Sequence, residues 1–99
     1  MADSVDRYRL TPRAKRDLED IWLYTVDTWS ADKAEDYHAG LIAAFARLAA
    51  GKSRGRRSDV RVDYWKYRVG SHVVFYKLTE DGIEVVRILH ERMDVARRL

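Results

Sequence analysis

His90 and Arg92 stand two residues apart at the end of an apolar run, the best placed pair in the chain to act on a phosphodiester. Such chemistry takes a general base, a general acid and cations around the scissile phosphate. The other two histidines are weaker candidates. His38 falls on the apolar edge of a predicted helix and reads as structural. His72 follows a predicted hairpin turn and is expected to be exposed. No His-x-Glu or His-x-x-x-His spacing occurs, so no metal site is expected. Gly51-Lys52-Ser53 lacks the preceding glycine of a phosphate-binding loop. With no cysteine, a disulfide framework and a thiolate zinc site are both excluded. No cofactor is expected.

Charge offers a second kind of chemistry, recognition. The net charge is only +3, but it is segregated. Asp17, Glu19, Asp20, Asp27, Asp32, Glu35 and Asp36 load the first half with acid. Lys52, Arg54, Arg56, Arg57, Arg61, Lys66 and Arg68 crowd the middle, and Arg92, Arg97 and Arg98 the end. Such segregation suits an acidic partner, either nucleic acid or an acidic polypeptide, and a merely solvated rim is the plain alternative. Trp22 and Trp29 fall on a predicted core stripe, and Trp65 and Tyr67 on one face of a predicted strand. Tyr64 points the other way, among basic residues, and is the aromatic kept as a surface contact.

The elements that must position these residues follow from spacing. Tyr8 to Leu10 forms a short first strand. Thr11 caps a helix that opens with Pro12 and carries Ala14, Leu18, Ile21, Trp22, Thr25 and Trp29 at three- and four-residue intervals. Ser30 caps a second helix with Ala34, Tyr37, His38, Leu41, Ile42, Phe45, Leu48 and Ala49 at the same period. Gly51 ends it in a left-handed cap. Gly51 to Asp59 reads as a basic loop. From Val62 the period changes to two, Gly70-Ser71 makes a two-residue hairpin turn, and His72 to Leu78 and Ile83 to Leu89 return as strands. Asp94 to Leu99 forms a last helical turn.

The predicted order is β-α-α-β-β-β, an α+β fold in which a helical hairpin covers one face of an antiparallel sheet. Residues 1–99 are expected to form one domain. No apolar run approaches a membrane span, and the polar stretch Met1 to Asp6 is not a signal peptide, so a cytoplasmic location is expected.

Several segments in this order resemble the ParE branch of the RelE/ParE toxins of bacterial type II toxin–antitoxin systems. They include Tyr8-Arg9-Leu10-Thr11-Pro12, Asp17-Leu18-Glu19-Asp20-Ile21-Trp22-Leu23-Tyr24-Thr25, and Gly55-Arg56 with Asp59-Val60-Arg61. The most specific are Gly70-Ser71-His72 to Phe75-Tyr76 and Arg87-Ile88-Leu89-His90-Glu91-Arg92-Met93-Asp94. The resemblance implies a toxin that a ParD-like antitoxin binds and neutralises in a hetero-oligomer. Free, it would inhibit DNA gyrase and block replication, with no catalytic turnover, membrane contact or sequence-specific nucleic-acid binding of its own. It places target inhibition on Arg92, Met93, Arg97, Arg98 and Leu99, with Arg57, Arg61 and Tyr64 as a second basic surface. The antitoxin is expected on the exposed edges of helices and sheet, in a groove between them.

The main rival on the same fold is a RelE-like ribosome-dependent mRNA endonuclease, whose active site here would be Arg68, Arg87, His90 and Arg92. Against it, Val73 stands where such strands carry an arginine, and no tyrosine follows Tyr76. A nucleic-acid-binding module using the basic loop and hairpin ranks third, for want of an exposed aromatic row or a DNA-reading helix. The chain departs from the ParE pattern at Ser30, at Gly51-Lys52, and in a tail, Val95-Ala96-Arg97-Arg98-Leu99, without the usual histidine.

Overall fold

Thr11 makes the joint on which the fold turns. Its hydroxyl accepts from the Ala14 amide at 3.1 Å, capping helix α1 (Pro12–Thr28). The same hydroxyl donates to the Val86 carbonyl at 2.8 Å, fixing the start of α1 to strand β5 (Ile83–His90). The computed structural model describes residues 7–99, so the expectation about Met1 to Asp6 lies outside the described residues.

Helix α2 (Ala31–Ala49) starts as its sequence requires, with the Ser30 hydroxyl accepting from the Lys33 amide at 3.1 Å. Its end is a Schellman closure: the Lys52 amide donates to the Arg47 carbonyl at 2.9 Å and the Gly51 amide to Leu48 at 3.2 Å. Gly51 takes φ +77°, a conformation that costs a residue with a Cβ.

Among the described residues, five strands form one sheet in the order β1-β5-β4-β3-β2. They are β1 (Tyr8–Leu10), β2 (Arg56–Arg57), β3 (Trp65–Val69), β4 (His72–Leu78) and β5. The predicted α+β architecture is present, with two additions. First, β1 runs parallel to β5, so the sheet is mixed and only its β2–β5 part is antiparallel. The helical hairpin and the intervening strands supply the long connection that a parallel pair needs. Second, the basic loop carries a strand of its own, with Arg56 opposite Lys66 and Arg57 opposite Trp65. Gly55 allows this approach: its amide donates to Tyr76 Oη at 2.9 Å, and a Cβ there would collide with the Lys66 carbonyl. The strand expected from Val62 begins at Trp65. A short turn of helix, α3 (Val95–Arg98), closes the chain.

The helical hairpin buries Ala14, Leu41, Phe45 and Leu48 against Val74, Tyr76, Ile83, Val85 and Ile88. Each large apolar side chain removed from water here stabilises by about 1.5–3 kcal/mol. Trp29 corrects the stripe. It is 68% exposed, because it is the residue after α1, where φ −121° and ψ −80° carry the chain off the helical path. The Lys33 ammonium lies 5.9 Å from its ring centroid. Trp22 is half-buried and meets His38 edge-on, which gives His38 its structural role.

Candidate functional site

Among the described residues, Arg87 is the one charged residue that is buried. Its position explains why. Strand β1 pairs with β5 only from Ile83 to Val85, so the edge of β5 beyond Val85 has no strand partner. Helix α1 lies along that edge. Asp17 accepts from the Ile88 amide at 2.9 Å, standing in for a missing strand. It also holds Arg87 in a fork, with Nε at 2.7 Å and Nη2 at 3.0 Å. The hydrogen bonding of Arg87 to the Asp17 carboxylate is the main cause that raises the Arg87 pKa above its ordinary value. The remaining guanidinium nitrogen, Nη1, donates to the Arg98 carbonyl at 2.7 Å.

The tail is tied a second time. Arg61 Nη2 donates to the Leu99 carbonyl at 2.9 Å. Arg61 also sits over the Tyr64 ring at 5.5 Å, Lys77 over the same ring at 5.8 Å, and Arg57 over Trp65 at 5.4 Å. The loop surface of Arg57, Arg61 and Tyr64 and the tail of Arg97, Arg98 and Leu99 are therefore joined through Arg61.

On the helix side, a different constellation forms. The register sets His72 opposite His90, with ring centroids 5.3 Å apart and edge-to-face. Tyr37 Oη accepts from the Ser71 amide at 3.1 Å, donates to the Val69 carbonyl at 3.0 Å and lies 2.6 Å from His72 Nδ1. Gly70, at φ +58°, makes the turn, and its missing Cβ leaves room for the Tyr37 ring. His72 is thus half-buried and bonded, not exposed as expected after a turn. Burial, and then the neighbouring His90, push its pKa below the usual imidazole value. Burial likewise raises Tyr37. Two adjoining hollows of about 500 and 400 Å³ share Tyr24, His72 and His90.

A family model described as ParE toxin of type II toxin-antitoxin system, parDE, matches residues 8–95. The chain belongs to the ParE toxin family. Toxin ParE1 of Mycobacterium tuberculosis is 48% identical over 95 residues, covering 94% of this chain and 97% of that protein. Toxin ParE1 of Caulobacter vibrioides is 38% identical over 93 residues, covering 93% and 96%. A solved chain described as the chromosomal ParDE TA system from P. aeruginosa shares the fold, with a TM-score of 0.73 over 88% of this chain and 97% of that one, at 19% identity. No described helix is long and apolar enough to cross a membrane.

In this ParE toxin, the four residues of the rival nuclease site do not come together. Arg87 is engaged by Asp17, and Arg68 pairs with Glu91. Arg68 and Arg87 lie in register with Val73 and Phe75, on the face away from the helices. His90, paired with His72, belongs to the helix side. The exposed Arg92 contributes its backbone amide to His90 Nδ1 at 3.1 Å. Met93 is exposed and borders the hollow with His90, whose lining includes neither Arg97 nor Arg98.

Asp17, Tyr37 and His72 were missed as site residues. Asp17 had a signal: it falls at helical spacing between Ala14 and Ile21, and a carboxylate within an apolar stripe implies a buried partner. Arg87 within Val85-Val86-Arg87-Ile88-Leu89 is the matching signal.

Proposed function

We propose that this toxin inhibits DNA gyrase and blocks replication, and that a ParD-like antitoxin neutralises it in a cytoplasmic hetero-oligomer. The whole chain acts as one domain without catalytic turnover. The observation that supports this reading best is the Arg61–Leu99 hydrogen bond, which makes the basic loop and the basic tail a single surface. Arg57, Arg61, Tyr64, Arg92, Arg97, Arg98 and Leu99 contact the target, and such a surface selects an acidic partner or a DNA-bound complex electrostatically. Met93 acts with them from the neighbouring hollow. The separation of His90 from Arg68 and Arg87 speaks against the endonuclease.

For the antitoxin, the groove between helices and sheet offers Tyr24 and Trp29, 66% and 68% exposed, above Tyr37, His72 and His90. Large apolar side chains left open in a cluster mark a docking surface. An amphipathic segment with an apolar anchor fits there. The description of the Pseudomonas relative as a ParDE system agrees with such a partner.

The test is expression with and without a ParD-like antitoxin, reading DNA damage, filamentation and mRNA integrity together. Gyrase-dependent DNA breaks with intact mRNA, relieved by the antitoxin, are expected. Cut mRNA without DNA breaks would contradict the proposal.

A further inference from the structure

The tail cannot hold itself in place. Helix α3 is a four-residue turn with no side-chain cap at Asp94 and no buried residue. A turn that short is unstable by its own hydrogen bonds. Of the two hydrogen bonds that tie it to other described elements, Arg61 to Leu99 is exposed and so contributes little. The other starts in a largely buried ion pair: side-chain exposures are 10% for Arg87 and 12% for Asp17.

All three guanidinium nitrogens and both carboxylate oxygens of that pair are engaged. Asp17 Oδ2 accepts from Arg87 Nε and the Ile88 amide, and Oδ1 accepts from Arg87 Nη2. This fixes the guanidinium plane and aims Nη1 at the Arg98 carbonyl. A planar fork can hold a carboxylate on one side and a carbonyl on the other, whereas an ammonium offers no such rigid geometry. Neither Asp17 nor Arg87 is on the basic surface, yet both decide where its tail half lies.

We infer that Asp17 and Arg87 are positioning residues for the toxin's action: the pair, anchored in α1 and β5, fixes Arg97, Arg98 and Leu99 in the conformation that meets the target. This rests on the reading that the tail contacts gyrase. With the tail already ordered, less conformational entropy is lost on association.

The test uses the full-length toxin and Arg87→Lys, which keeps the charge opposite Asp17 but not the fork. Backbone ¹⁵N relaxation reads tail order without reference to gyrase. In the wild type, Ala96 to Leu99 are expected to be as ordered as β5. In Arg87→Lys they become mobile while α1 and β5 are unchanged, and about tenfold more toxin is needed to inhibit supercoiling, the loss expected when binding must order a freed tail. An ordered tail in Arg87→Lys would overturn the positioning role. A mobile tail with undiminished inhibition would overturn its relevance to action. If the Arg97→Ala/Arg98→Ala variant also stays fully inhibitory, the tail reading itself has failed. Should Arg87→Lys not fold, the wild type still decides. A clamped guanidinium gives distinct, slowly exchanging Nη1 and Nη2 proton signals, and averaged signals would refute the clamp.

Discussion

On the helix side of the sheet, Val74, Tyr76, Ile83, Val85 and Ile88 lie beneath Leu41, Phe45 and Leu48. On the other side, Phe75 and Leu89 are only 2% and 1% exposed, although no helical hairpin covers them. The strand register flanks them with Lys66, Arg68 and Arg87, and polar ties bring the tail to the same region. One face is closed by apolar area, which is non-directional and tolerant of detail. The other also buries Phe75 and Leu89, but its basic groups are placed by a few directed contacts, which fix geometry more than they add stability. Fold and function can therefore be separated by mutation: damage to the apolar core should unfold the toxin, and damage to the directed contacts should disarm it.

The sharpest test of this contrast pairs Phe45→Ala with Arg61→Ala. Emptying the fully buried Phe45 site should cost about 3–5 kcal/mol in urea denaturation, through lost transfer energy and a cavity. Removing the exposed Arg61 side chain should cost under about 0.5 kcal/mol. Equal losses would end the distinction between the faces.

Asp17→Asn lies between the two regions and should lose about 3 kcal/mol by the same measurement, because Arg87 then keeps a buried charge without its carboxylate. A loss below about 1 kcal/mol would mean that the pair is solvated in solution.

These two residues also show what was legible in the sequence. The caps at Thr11 and Ser30, the glycine at Gly51, the hairpin turn at Gly70 and the helix-facing core all follow local rules of period and turn chemistry, and all are present. Trp29 misled because periodicity continues past the point where the backbone leaves the helix. The parallel pairing of β1 with β5 and the strand at Arg56–Arg57 are long-range, and nothing in their own residues announces them. The candidate site was harder still. Types and neighbourhoods of residues suggested Arg68, Arg87, His90 and Arg92 as one group, but strand register and the free edge of β5 divide them.

His72 gives a pH signature on the helix side. Burial, and then His90, lower the folded-state pKa of His72 below its ordinary 6.5. The unfolded chain therefore binds a proton first on acidification, so this contribution to stability is full above about pH 6.5 and is lost as pH falls through the lower folded value. Melting temperatures measured from about pH 7.5 down to about pH 5 should fall, and His72→Gln should flatten that part of the profile. An unchanged slope in the variant would assign the effect elsewhere.

The smallest effects concern the caps. Ser30→Ala removes one capping bond and should cost about 0.5–1 kcal/mol. Thr11→Ala removes a cap and the bond to Val86, so about 1–2 kcal/mol is expected. If the two costs are the same, the link from α1 to β5 through Thr11 carries no weight.

The central claim is that one basic surface, made of loop and tail, acts on gyrase. The direct measurement is a supercoiling and cleavage assay with purified gyrase, comparing the wild type with a folded Arg97→Ala/Arg98→Ala variant. Inhibition with cleaved DNA by the wild type, lost in the variant, is the predicted result. Gyrase untouched by the wild type, or inhibited equally by both proteins, would contradict the account.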